Sequence, residues 1–260
     1  MVSPSSHGVM WSPSSVPIQQ STRIRRSFCL TSQIDREAAA IRLLDSWPWK
    51  AGGCLIGGYA VAAYGKPRFS QDVDLVLPKS QRRPSIARLE AEGFSIRSSK
   101  RVHPSFKDAA TLLRGDFTVD LMFGSVRDRE SGASVQEAWI SDLPRRTKLD
   151  LLTGTTTEVI PVARPAAMWV LKLLAGRDQD LSDLFAISGE PFEAPEVREE
   201  LEKIMNPALR VKLSEIRARV RTPKIYSDAL SARSMGKQGE PQNARAWARF
   251  RSLLDLVLPK

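Results

Sequence analysis

The chain has 260 residues, 42% hydrophobic and 26% charged, ordinary values for a globular protein with one sizeable core or a catalytic domain plus a smaller helical one. No apolar run approaches the roughly 20 residues needed to cross a bilayer, so a membrane-spanning protein is excluded. Lys and Arg total 39 against 29 acidic residues, a net charge of +10 that draws polyanions to the surface and makes nucleic acid the expected partner.

Residues 1–34 contain no Asp or Glu and are rich in Ser, Pro and Arg. Their few apolar residues are irregularly placed, so a disordered basic leader is expected. An organellar transit peptide and translated sequence upstream of the true start are the alternatives. The two cysteines, Cys29 and Cys54, make neither a disulfide scaffold nor a metal spacing, which fits a reducing cytoplasm. Order is expected from about Ile34, with Ala38, Ile41, Leu43 and Leu44 at helical spacing over 35–46. The run Cys54-Leu55-Ile56 predicts a short strand and Gly57-Gly58 a turn, with a short helix over 59–64. Residues 72–77 predict a strand ended by Pro78, and 83–92 an amphipathic helix ended by Gly93. Further strands are expected at 95–97, 111–114 and 117–123, the last two joined by a hairpin turn at Gly115-Asp116. A last strand lies near 158–162. From Pro165 the texture turns helical, with helices over 165–175, 180–188, 196–205, 207–220 and 243–257. The expected fold class is α+β, a mixed sheet flanked by helices and followed by a C-terminal helical part. The expected division is a leader over 1–34, a catalytic domain over 35–163 and a helical domain over 164–260.

Asp72 and Asp74 are two apart in a predicted strand, so their side chains share one face. Two carboxylates there repel each other, and a divalent cation relieves the repulsion. Alone, the pair also reads as a polar strand end with solvated aspartates. Three neighbours sharpen it. Gly57-Gly58 follows a strand and opens a helix, where backbone N–H groups can approach a phosphate. Arg68 and Ser70 precede the pair and could hold phosphate oxygens. Asp120 alternates with Val119 and Leu121 in the 117–123 strand, and an adjacent strand would bring it beside the pair, making a two-metal site.

The sequence Gly57-Gly58, Tyr59 to Gly65, Arg68 and Ser70-x-Asp72-x-Asp74 resembles the signature of the DNA polymerase β-type nucleotidyltransferase superfamily. The segment Leu171 to Leu184 is similar to the helical motif of the AbiEii-type nucleotidyltransferase toxins. The resemblance covers roughly residues 50–190. It implies a nucleotidyltransferase fold, with Asp72 and Asp74 holding two Mg²⁺ ions (Mn²⁺ being the alternative) and Asp120 completing the second metal site and helping to deprotonate the attacking hydroxyl. It implies Gly57, Gly58 and Ser70 on the triphosphate, and Lys172 as a cation near the phosphates. The residue-level alternative for Lys172 is a snorkelling surface lysine. Arg177, Asp180 and Asp183 either order the loop and helix start through charge pairs or join the catalysis.

The implied reaction transfers a nucleoside monophosphate from a nucleoside triphosphate to a hydroxyl acceptor. The charge balance favours a nucleic-acid acceptor, and the resemblance implies RNA such as tRNA, modified by a toxin with a cognate antitoxin. The alternatives are nucleotidylation of an aminoglycoside-type drug and a non-catalytic binding protein of the same fold. Arg145, Arg146 and Lys148, and the series Arg210, Lys212, Arg217, Arg219 and Arg221, either face a polyanion or are solvated surface. His7 and His103 have no partner at ligand spacing.

Overall fold

The structure is a computed structural model that describes residues 21–64, 69–97, 108–222, 224–227 and 240–258, and of 21–33 and 240–243 only the backbone. The long α1 (Ser21–Ser46) leads to β1 (Cys54–Ile56) and α2 (Gly57–Ala62). Then come β2 (Asp72–Leu77), α3 (Arg82–Ala91), β3 (Ser95–Ile96), β4 (Ala109–Arg114) and β5 (Phe117–Phe123). A small ribbon, β6 (Ser125–Arg127) and β7 (Ser134–Gln136), precedes α4 (Glu137–Ile140), β8 (Arg145–Thr147) and β9 (Ile160–Val162). The rest is helical: α5 (Pro165–Ala175), α6 (Asp178–Ile187), α7 (Ala194–Lys203), α8 (Pro207–Arg219) and α9 (Glu240–Val257).

Seven strands form one mixed sheet in the order β3-β4-β5-β2-β1-β9-β8. The β2–β5 and β1–β9 pairs are parallel and the others antiparallel. The α+β class expected from the sequence is what the chain adopts. β1 and β9 are apolar on both faces and fully buried, as central strands must be when helices cover both sides. β5 alternates instead: Phe117, Val119, Leu121 and Phe123 are buried, while Thr118, Asp120 and Met122 take the other face. β2 does both, alternating at Asp72-Val73-Asp74 and then running apolar through Leu75-Val76-Leu77. Its carboxylates therefore stand where the strand leaves the core.

The C-terminal helices continue the same buried cluster, which runs from Ala39 to Leu258. α5 is apolar on every face but for Lys172, buried from Ala166 to Leu174, and stopped by Gly176 in a left-handed conformation. Trp247 and Phe250 of α9 pack against Phe185, and Phe250 against Trp169. The N-cap of α8 is Asn206, whose Oδ1 accepts from the Leu209 N–H at 2.9 Å while Nδ2 donates to the Ser131 carbonyl at 3.0 Å. Asn206→Ala removes both bonds and is expected to cost about 1–2 kcal/mol in a denaturant titration.

The helix α1 begins ahead of the Ile34 expected as the start of order, and residues 1–20 lie outside the described residues. α6 opens at Asp178 rather than Asp180, because the Asp180 carboxylate reaches back to the Arg177 N–H at 3.2 Å and closes the first turn. Three strands had no readable pattern. β6 and β7 carry one apolar residue each, Val126 and Val135, and β8 carries none. Among the described residues, no helix is long and apolar enough to cross a membrane.

Candidate metal centre

The parallel register of β2 and β5 sets Asp74 opposite Asp120, on the face that both strands turn away from the core. Neighbouring strands lie about 4.8 Å apart, so same-face side chains at paired positions meet. One carboxylate oxygen from each of Asp72, Asp74 and Asp120 lies within 4.8 Å of the others. Ser70, buried at the entry to β2, donates from its hydroxyl to Asp72 Oδ1 at 3.1 Å. Its carbonyl in turn accepts from Tyr59 Oη at 3.3 Å. Thr111 of β4 donates to Asp120 Oδ1.

Burial, followed by the charges of Asp72 and Asp120, pushes the Asp74 carboxyl up to about 7. Lys172 and Arg177 act in the opposite sense and are outweighed. Asp120 is raised as well, chiefly by burial, with the Thr111 hydrogen bond opposing and Asp72 adding. Three crowded carboxylates form a hard, all-oxygen donor set, which fits a divalent cation. Oxygen donors suit Mg²⁺ and Mn²⁺ alike.

Gly57 is needed by this arrangement. It opens α2 directly after β1 with φ of 72°, and a Cβ there would stand 1.9 Å from Asp74 Oδ2 and 2.6 Å from its Cγ. The glycine therefore makes room for the carboxylate, besides allowing the left-handed backbone. Gly58 follows it, buried in the first turn of α2. Gly57→Ala is expected to destabilise the fold by about 3 kcal/mol or more. It should also abolish stabilisation by Mn²⁺, read by denaturation with and without the ion.

Lys172 does not snorkel. It is 5% exposed, and its Nζ lies 3.0 Å from Asp180 Oδ1 and 2.7 Å from Asp183 Oδ2, tying α5 to α6. Asp180 is shared with Arg177, whose Nε donates to Oδ2 at 2.7 Å, and Gln179 donates to Asp183 at 3.3 Å. Burial would raise the Asp180 carboxyl, but Arg177 and Lys172 hold it below the usual carboxylate range. α6 packs on α2, so this ion network stands behind the triad, and its two cations act on Asp74. Arg68 lies outside the described residues, as do Gly65 and His103.

Two features of the site escaped the sequence. One is a cavity of about 280 Å³ opening onto Asp74 and Asp120, with Thr111 of β4 on one wall and Arg127 and Arg129 of the small ribbon on another. The other is the use of α8, whose Lys212 and Arg219 are held by acidic partners while Arg210 stays exposed. Lys212 pairs with Asp128 and Glu130, while Arg219 pairs with Asp178 and donates to the Gly176 carbonyl at 2.7 Å. Arg145 likewise pairs with Glu190 at 2.7 Å and stacks over Tyr64.

No protein-family model and no curated protein matches the chain. Solved structures do, nucleotidyltransferases among them. The nucleotidyltransferase toxin MenT4 from Mycobacterium tuberculosis is 14% identical with a TM-score of 0.46, covering 93% of this chain and 90% of that one. ANT(2″)-Ia in complex with adenylyl-2″-tobramycin is 16% identical with a TM-score of 0.36, covering 84% and 98%. The lincosamide antibiotic adenylyltransferase LnuA, lincomycin-bound, is 16% identical with a TM-score of 0.33, covering 51% and 81%.

Proposed function

We propose that the chain is a metal-dependent nucleotidyltransferase, with its catalytic part over residues 35–163 and a helical part over 164–260. The observation that supports it most is the convergence of Asp72, Asp74 and Asp120 within 4.8 Å, with Asp74 raised to about 7. In this reading Asp72 and Asp74 hold two divalent cations and Asp120 completes the second site. When bound, such cations neutralise charge on the triphosphate and lower the pKa of the attacking hydroxyl. Asp120, held by Thr111, orients that hydroxyl and helps take its proton. The hydroxyl oxygen bonds to the α-phosphorus, and the bond from that phosphorus to pyrophosphate breaks. Gly57 and Gly58 offer backbone N–H groups to the triphosphate, with Ser70 beside them. Arg68 would assist from the segment before Ser70. Lys172 is a positive charge behind the triad that its two aspartates hold in place.

The acceptor proposed is RNA, with tRNA the specific candidate, modified by a toxin-type enzyme of the AbiEii kind with a cognate antitoxin. The net charge of +10 supports a polyanionic acceptor over a cationic drug. The test is incubation with labelled nucleoside triphosphates, Mg²⁺ and total RNA, comparing the natural chain with Asp74→Ala. Label should reach RNA with the natural chain alone. Label on an aminoglycoside and none on RNA would replace the acceptor, and no transfer to any acceptor would sink the reading.

A further inference from the structure

The cavity beside Asp120 is small for a whole ligand. At about 280 Å³ it falls at the bottom of the roughly 300–1,000 Å³ that drug-sized molecules occupy. It fits the end of a larger molecule. Its outer wall is the ribbon β6–β7, which brings Arg127 and Arg129 to the cavity, and Arg129 acts electrostatically on Asp120. Guanidinium forks match phosphate oxygens and repel amines.

A two-stranded ribbon is marginal by itself, so the arginines need an outside support to hold a position. The structure supplies one. The turn after β6 is built on Asp128, which accepts from the Ser131 N–H at 3.0 Å and the Ser131 hydroxyl at 2.6 Å. Lys212 of α8 reaches the same carboxylate at 3.1 Å and Glu130 at 2.8 Å. Asn206, at the start of α8, holds the Ser131 carbonyl. Both Lys212 and Asp128 are largely withdrawn from water, where an ion pair is screened little. The ribbon is thus clamped at its turn by the helical part of the chain.

We propose that the β6–β7 ribbon is the acceptor-recognition element of the site. Arg127 and Arg129 take a phosphate next to the acceptor's attacking hydroxyl, so the acceptor is the end of a single-stranded polynucleotide. Lys212 acts as a positioning residue that fixes the ribbon. The proposal rests on the nucleotidyltransferase reading above, and assigns the side of the metal centre from which the acceptor enters.

The test uses the full chain in Mg²⁺ and a 5′-labelled single-stranded RNA octamer with a free 3′-hydroxyl, with binding followed by anisotropy across a salt series. The double variant R127Q/R129Q is expected to bind at least tenfold more weakly. Its slope of log affinity against log salt should fall by about 0.7 for each phosphate that the variant no longer neutralises. R127K/R129K, which keeps the charge, should recover the slope but not the full affinity. Lys212→Met should weaken binding with the arginines in place, and Lys212→Arg should restore it. Each variant is also titrated with Mn²⁺, which reports on the triad alone. Unchanged RNA affinity in R127Q/R129Q with normal Mn²⁺ binding overturns the assignment and leaves the metal centre standing. Failure of the natural chain to bind Mn²⁺ sinks the enzymatic reading, and the proposal with it. Tighter binding of a cationic aminoglycoside by R127Q/R129Q, with no change in RNA affinity, overturns the polynucleotide end in favour of a drug acceptor.

Discussion

Replacing Asp74 by asparagine should raise the stability of the metal-free protein while eliminating its nucleotidyl transfer. The side chains are isosteric, so the clearance over Gly57 is kept. What changes is the charge. The Asp74 carboxyl titrates near 7 in the folded chain against 3.8 in its unperturbed form. Between those values the folded state binds the proton and the unfolded state does not. Stability therefore rises as pH falls, and the contribution is lost as pH climbs through about 7. The displacement corresponds to about 4 kcal/mol of destabilisation once the group is ionised in both states. Above pH 7, metal-free Asp74→Asn should thus be the more stable protein by a few kcal/mol, and the difference should shrink toward pH 4. Mn²⁺ should reverse the order, stabilising the natural chain and leaving the variant unmoved. Melting curves at pH 5 and pH 8, with and without the ion, check all of these points. A variant less stable than the natural chain at pH 8 without metal would show that the three carboxylates do not crowd as described. Transfer should drop by at least about a thousandfold, since this chemistry depends on positioned charge.

Lys172→Met should be the most damaging change in the helical part. The lysine side chain is 7% exposed, and its partners Asp180 and Asp183 are 1% and 3% exposed. Removing the cation leaves two buried carboxylates facing each other, a loss of about 3–5 kcal/mol. Asp180 would retain Arg177 and Asp183 would retain Gln179, so Asp183 bears more of the damage. The double change K172M/D183N should recover a large part of the stability in a denaturant titration, because it removes the stranded charge with its partner. It also separates the two roles open to this lysine. If the network is purely structural, the recovered protein transfers nucleotide normally. If the positive charge behind Asp74 also serves the phosphates, the recovered protein still shows a raised KM for the triphosphate.

Several features were legible in the sequence because their causes are local. β5 could be placed residue by residue from its alternation, and α5 from Pro165 at its start and Gly176 at its stop. The side-chain period of two put Asp72 and Asp74 on one face before any partner strand was known. The ribbon β6–β7 was not legible, since three-residue strands with one valine each carry no period. Arg127 and Arg129 passed unnoticed for the same reason, and the cavity they wall had no sequence signal at all.

The Gly57 to Asp74 segment by itself determined a glycine turn and a pair of carboxylates suited to a cation. Only the tertiary structure decided that Gly57 is there to clear Asp74, and that parallel pairing of β2 with β5 brings in Asp120. It also decided that Lys172 and Lys212 turn inward to aspartates. The physical reason is the same in each case. Local sequence sets which face a side chain takes, whereas strand register and charge partners depend on residues far along the chain, such as Lys212 and Asp128, 84 positions apart.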